Sequence, residues 1–93
     1  MEEKARAYLV VSGRVQGVCF RYETQRAASR LGVYGWVRNK RDGTVEAEVE
    51  GAKPDVLSLI EWCRTGPPVS RVDQVDVTWK QYRGLSDGFD IRY

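Results

Sequence analysis

The sequence predicts an α+β fold: an antiparallel sheet with two helices on one face, in the order βαββαβ, with a short edge strand at the C-terminal end. Three observations carry this prediction. Short apolar runs or strict alternations occur at four places and read as strands. Between them lie two stretches whose apolar residues recur at spacings of three and four, as on one face of a helix. Gly and Pro sit at the junctions, where a chain must turn.

The elements follow in order. Residues 7–12, Ala-Tyr-Leu-Val-Val-Ser, form an apolar run suited to a buried central strand. Gly13 and Gly17 then mark a loop. From Phe20 the period becomes helical, with Phe20, Thr24, Ala27, Ala28 and Leu31 on one face and Gly32 where a helix C-terminal glycine belongs. Trp36 and Val37 begin a second strand, and Asp42-Gly43 supplies a tight turn. Val45, Ala47 and Val49 alternate with Glu46, Glu48 and Glu50, which predicts a third strand with one buried and one solvated face.

Pro54 suits the first turn of a second helix, because its missing N–H would have no partner there anyway. Val56, Leu57, Ile60 and Cys63 are its expected buried stripe, and Gly66-Pro67-Pro68 stops it. Val75, Val77 and Trp79 alternate as a fourth strand. Phe89, Ile91 and Tyr93 alternate once more as the edge strand. The whole chain, residues 1–93, reads as one domain.

This order is the ferredoxin-like split arrangement, in which the third strand lies between the first and second. The first two strands are then parallel, and their C-terminal ends share one edge of the sheet. They are two strand spacings apart, roughly 9–10 Å, a gap that a ligand and a loop can fill. The loop after the first strand therefore comes near the residues late in the second.

Composition narrows the chemistry. The formal net charge is +2, with 15 basic and 13 acidic residues interspersed, which is not the footprint of a strong nucleic-acid binder. There is no His, and two cysteines, Cys19 and Cys63, cannot build a zinc site alone. No metal or cofactor is expected. No apolar run approaches the ~20 residues needed to span a membrane, and Met1-Glu2-Glu3-Lys4 is not an apolar signal segment. A cytoplasmic, reduced, monomeric protein is the expectation.

The chemistry-bearing segment is Gly13-Arg14-Val15-Gln16-Gly17-Val18-Cys19-Phe20-Arg21. It is a glycine-containing loop ending at a helix N-terminus, where unpaired N–H groups and the positive end of the helix dipole favour an anion. Arg21 falls in the first turn, where a cation is unfavourable unless it faces a bound dianion. Its planar fork can hold two phosphate oxygens. On spacing alone, a plain strand-to-helix loop with an exposed Arg stands equally open.

That loop resembles the first signature of the acylphosphatase family. Gly35-Trp36-Val37-Arg38-Asn39, followed by Asp42-Gly43-Thr44-Val45-Glu46, resembles the second. The Leu31-Gly32 step, the Gly66-Pro67-Pro68 stop and the Phe89-Asp90-Ile91-Arg92-Tyr93 ending are also similar to the family, so the resemblance covers nearly the whole chain. It implies hydrolysis of the carboxyl-phosphate bond of a small-molecule acyl phosphate, releasing inorganic phosphate. It implies that Arg21 is the phosphate-binding catalytic arginine and that Asn39 positions the attacking water. The backbone amides of Val15, Gln16, Gly17, Val18, Cys19 and Phe20 would complete the cradle, their side chains mattering little to the contact.

Other residues have blander readings beside the functional ones. Cys19 lies where a thiolate is favoured, but it lacks a base partner, and a small loop residue accounts for it. Cys63 reads as a small core residue. Glu46, Glu48 and Glu50 form a solvated row rather than a metal site. Trp36, Trp62 and Trp79 read as packing residues, with Trp36 also a candidate wall of the site. Arg38, Lys40 and Arg41 flank Asn39 as a solvated strand end or as an attractor of anions. Tyr93 reads as packing against the body.

RNA-recognition domains share the βαββαβ order but need aromatics on their central strands. Here residues 44–50 carry three acids and no aromatic, so no nucleic-acid partner is expected. Acylphosphatase-like domains also occur within hydrogenase-maturation proteins, which carry zinc-binding and other domains without counterpart in this sequence.

Overall fold

A computed structural model describes residues 3–85 and 87–93. The chain runs β1 (Lys4–Arg14), α1 (Phe20–Leu31), β2 (Tyr34–Asn39), β3 (Val45–Ala52), α2 (Lys53–Thr65), β4 (Arg71–Lys80) and β5 (Phe89–Arg92). The sheet order is β4-β1-β3-β2-β5. The pairs β1·β3, β1·β4 and β2·β3 are antiparallel, as the sequence predicts. The terminal strand forms too, but it pairs parallel with β2, so the sheet is mixed rather than wholly antiparallel. Because β4 and β5 lie at opposite edges, the chain must cross the sheet between them, and it arrives at β2 running in the same direction.

The core lies between the sheet and the helices. Ala7, Leu9, Val11, Val37, Val45, Ala47 and Val49 point inward from the strands and are buried. Helix α1 buries Phe20, Thr24, Ala27 and Ala28, with Leu31 packed against them, which is the face its spacing predicts. Gly32 closes α1 with φ 70°, a left-handed conformation that a glycine adopts without Cβ strain. Pro54 stands in the first turn of α2. Phe20 and Trp62 bring the helices together with ring centroids 5.8 Å apart.

Helix α2 corrects the predicted stripe. Its buried residues are Val56, Leu59, Ile60 and Cys63, whereas Leu57 is 46% exposed. Leu59 stands three residues after Val56 and four before Cys63, so it shares their face; Leu57 has that relation only to Ile60. Cys63 is buried as expected, and burial pushes its thiol up to about 12. Trp62 is half-buried against the core. Trp79 is exposed instead, at the far end of edge strand β4, with Lys53 Nζ 5.9 Å over its ring.

The larger correction concerns the glutamate row. Glu46 and Glu50 are only 5% and 1% exposed, and Glu48 is half-buried. The outer face of the sheet is polar but not solvated. Glu46 accepts from the Tyr8 hydroxyl and, at 2.6 Å, from Arg38 Nε. Glu48 is bound by Arg6. Glu50 accepts the backbone N–H groups of Arg83, at 3.0 Å, and of Leu85. The chain that leaves β4 covers Glu50, while Tyr8 and Arg38 cover Glu46, and burial is tolerated because each carboxylate is bonded.

Candidate active site

Strand register fixes the site's position. Val45 of β3 faces Val11 of β1 on one side and Asn39 of β2 on the other. Asn39 therefore ends its strand level with Val11 of β1, and it shares a cavity with Val15, Gly17 and Cys19 of the loop that follows β1. Strand β1 runs two residues further than the sequence predicts, through Gly13 and Arg14, by pairing with β4 across an irregularity between Ser12 and Gly13. Gly13 permits this: with φ 127°, a Cβ there would lie 2.2 Å from the Arg71 carbonyl oxygen. The sheet thus carries the chain to the threshold of the loop.

Two loop side chains, Val15 and Val18, are buried and anchor the loop to the core. Gly17 at φ 74° and Cys19 at φ 62° both take left-handed conformations. Such turns aim successive backbone N–H groups into one concavity. Cys19 is the N-cap of α1, and no side chain among the described residues caps the helix. Its first intrahelical bond runs from the Glu23 N–H to the Cys19 carbonyl at 3.0 Å. The amides of residues 19–22 precede that bond and have no partner within the helix.

These residues open on a cavity of about 430 Å³, lined by Val15, Gly17, Cys19, Phe20, Arg21, Tyr22, Asn39, Ile91 and Tyr93. Arg21 and Asn39, which the sequence proposed from separate motifs, thus share one cavity with the helix N-terminus. Arg21 Nη1 lies 3.5 Å from the Arg92 carbonyl oxygen, and its guanidinium stacks 4.9 Å from the Tyr93 ring centroid. Asn39 Oδ1 is screened from solvent and has no hydrogen-bond partner among the described residues. Cys19 is exposed and, like Cys63, free.

A second cavity of about 620 Å³ adjoins through Asn39 and Tyr93 and is lined by Arg38, Lys40, Arg41, Asp42 and Glu46. Lys40 Nζ is 3.9 Å from Asp42. Asp42 receives the Thr44 hydroxyl at 2.6 Å and the Thr44 N–H at 3.0 Å, and these bonds hold its carboxyl below the usual value. For Glu46, burial pushes the carboxyl up, but the bonds from Tyr8 and Arg38 outweigh it and the net shift is downward. The same bond to Glu46, with burial, raises the Tyr8 phenol to about 12.

Two features of this region depart from the sequence reading. Tyr93 does not pack against the body; it is 94% exposed and stands beside Arg21. Trp36 does not wall either cavity: it lies on the outer face between the Arg38 and Arg92 guanidiniums, 5.4 and 4.8 Å from its ring. The loop side chains have work apart from any ligand contact: Val15 and Val18 anchor the loop, and the Gln16 amide donates to the Lys40 and Thr44 carbonyls at 2.7 and 2.9 Å. The alternation of Phe89, Ile91 and Tyr93 is the sequence signal for the strand that brings Ile91 and Tyr93 to the cavity, but a lone edge strand gives no hint of which neighbour it joins.

A helix N-terminus, an arginine in the first helical turn and an asparagine at the end of β2 meet at one cavity of a small protein of split βαβ type. The acylphosphatase family model matches residues 7–91. The chain is 53% identical to an acylphosphatase of Anaeromyxobacter dehalogenans over the full length of both. Its structure superposes on the acylphosphatase of Bacillus subtilis with a TM-score of 0.91 at 37% identity, covering 96% of this chain and 99% of that one. An acylphosphatase from Coxiella burnetii gives 0.90 at 32% identity, covering 96% and 93%. The chain belongs to the acylphosphatase family.

Proposed function

We propose that this chain, acting as a single domain and a monomer, hydrolyses acyl phosphates by the joint action of Arg21 and Asn39, without a metal. As a member of its family it is a hydrolase of acyl phosphates, yielding a carboxylate and inorganic phosphate. Its ligands are the small-molecule acyl phosphate and the phosphate product; nucleic acid has no part in the reading. The observation that carries the residue assignment is the shared cavity: Arg21, Asn39 and the uncapped helix N-terminus line it together.

The amides of Val15, Gln16, Gly17, Val18, Cys19 and Phe20 surround the phosphoryl oxygens, and Arg21 takes two of them with its fork. As charge spreads over the equatorial oxygens in the transition state, these fixed donors stabilise it without reorganising. The unpartnered Asn39 Oδ1 accepts a hydrogen bond from the attacking water and orients it in line with the leaving group. The leaving group departs as a carboxylate, which is weakly basic, so a general acid is dispensable. The water proton passes to a phosphate oxygen of the substrate.

No helix among the described residues is long and apolar enough to cross a membrane. Free thiols at Cys19 and Cys63 suit a reducing, cytoplasmic setting.

The test is hydrolysis of benzoyl phosphate by the purified protein in the presence of EDTA. Turnover should persist unchanged. Arg21→Gln should abolish it and weaken competitive inhibition by inorganic phosphate, whereas Asn39→Ala should abolish turnover and leave that inhibition largely intact. Full activity in Asn39→Ala would overturn the water-positioning role.

A further inference from the structure

The Gln16 side chain points away from the phosphate cradle and into the neighbouring hairpin. There the chain turns immediately after Asn39: the Lys40 N–H donates to the Thr44 carbonyl at 2.8 Å, and the Gly43 N–H donates to the Lys40 carbonyl at 3.2 Å. The Gln16 Nε2 group lies 2.7 Å from the Lys40 carbonyl oxygen and 2.9 Å from that of Thr44. Two acceptors facing one amide end require its nitrogen there, so the side-chain orientation follows from the partners. Both Nε2 protons are spent on the two ends of one turn. A planar amide held at two points is fixed in rotation as well as in position.

The chain on either side of this tie belongs to the site. Val15 and Gly17, the neighbours of Gln16, line the cavity, and Asn39 directly precedes Lys40. Loop and hairpin come from strands separated by β3, so no backbone pairing joins β1 to β2. The Gln16 amide is a direct link between the segment that holds phosphate and the segment that holds Asn39.

We propose that Gln16 is a positioning residue: its side chain sets the distance between the phosphate cradle and Asn39, and through it the rate of the chemical step. The proposal rests on the assignment of water orientation to Asn39. Phosphate binding should depend on it little, because the cradle is held by buried Val15 and Val18, by the left-handed turns at Gly17 and Cys19, and by α1. Turnover should depend on it strongly, since a displacement of about 1 Å between reacting groups costs on the order of 100-fold.

The test compares the wild-type chain with Gln16→Met, which keeps length and volume but has no donor, and Gln16→Asn, which keeps the amide but is one methylene short. With benzoyl phosphate, both should lose kcat by about 10- to 100-fold, while KM and competitive inhibition by inorganic phosphate stay within about threefold. A companion measurement separates this proposal from the reading beneath it. In NMR titrations with inorganic phosphate, loop amide shifts should be as in wild type, whereas the Asn39 side-chain amide should be displaced already in the free variants. That displacement is read whether or not Asn39 orients water. A kcat within twofold of wild type in folded variants, or an undisturbed Asn39 amide, overturns the proposal. So does failure of both variants to fold, which would make the side chain a stability element only.

Discussion

Two polar regions lie on the same sheet and are built to opposite rules. On the outer face, Glu46, Glu48 and Glu50 are each bonded by Tyr8 and Arg38, by Arg6, or by the amides of the crossing chain. At the C-terminal ends of β1 and β2, the amides of the first turn of α1 have no partner within the helix, and Asn39 Oδ1 has none among the described residues. Arg6 Nε, the other buried side-chain atom without a hydrogen bond among the described residues, still has a Glu50 oxygen at 4.0 Å. A saturated network holds a fold; groups left unsaturated on a rigid support are ready for a ligand. The two regions should therefore respond to mutation in different currencies, rate at one and stability at the other.

The largest effect expected is at the unsaturated end. Arg21→Gln and Asn39→Ala should each lower kcat by about 100- to 1,000-fold or more, the scale of losing a fixed transition-state hydrogen bond. Their urea midpoints should stay near wild type, because neither side chain fills the core. A large fall in stability with normal turnover of the folded fraction would erase the distinction between the regions.

The converse experiment is Glu50→Ala on the outer face. It removes the acceptor of two backbone N–H groups and strands Arg6 beside Glu48 alone. Loss of a buried charged partner of this kind costs about 3 kcal/mol. Urea unfolding should show that loss, while kcat at a temperature where the variant is folded stays within about twofold. A kcat that collapses in step would show that the crossing chain, which leads to β5 and Tyr93, reports on the site.

Sequence reading served these two regions unequally. The βαββαβ order, the core face of α1 and the meeting of Arg21 with Asn39 were all legible, because period, glycine placement and parallel strand ends depend on local chemistry and one topological rule. The glutamate row was not. Alternation says that Glu46, Glu48 and Glu50 share a face, but the cover over Glu50 comes with the chain that crosses to pair β5 with β2, a contact between distant segments. The same event put Tyr93 beside Arg21 instead of against the body. The Gln16 tie was equally silent: a polar residue in a loop looks the same whether it faces water or two carbonyls.

pH separates the regions further. The Glu46 carboxyl is held below its ordinary value of 4.5 in the folded state, so its bonds contribute stability above that pH and lose it as pH falls through the lowered value. The Tyr8 phenol is raised from 10 to about 12, so its contribution is complete below pH 10 and lost as pH rises toward 12. Urea midpoints should fall on both flanks. In Glu46→Gln the acid flank should flatten, and ultraviolet titration should show Tyr8 ionising closer to 10. An unchanged Tyr8 titration would mean that its bond to Glu46 does not control the proton.

The smallest effect tests the one residue at which the ligand-facing region stores strain. Cys19 is the only non-glycine with positive φ among the described residues, at φ 62° and ψ 22°. A side chain there places Cβ against its own backbone, whereas glycine adopts the conformation freely. Cys19→Gly relieves that contact but enlarges the conformational freedom of the unfolded chain, so the two terms largely offset. The net gain should be about 0.5–1 kcal/mol, seen as a higher urea midpoint with an unchanged slope. Because the amide and not the thiol faces phosphate in the proposed cradle, kcat and phosphate inhibition should stay within about twofold. A loss of turnover would give the thiol a part in the chemistry, and a loss of stability would mean that its side-chain contacts outweigh the strain.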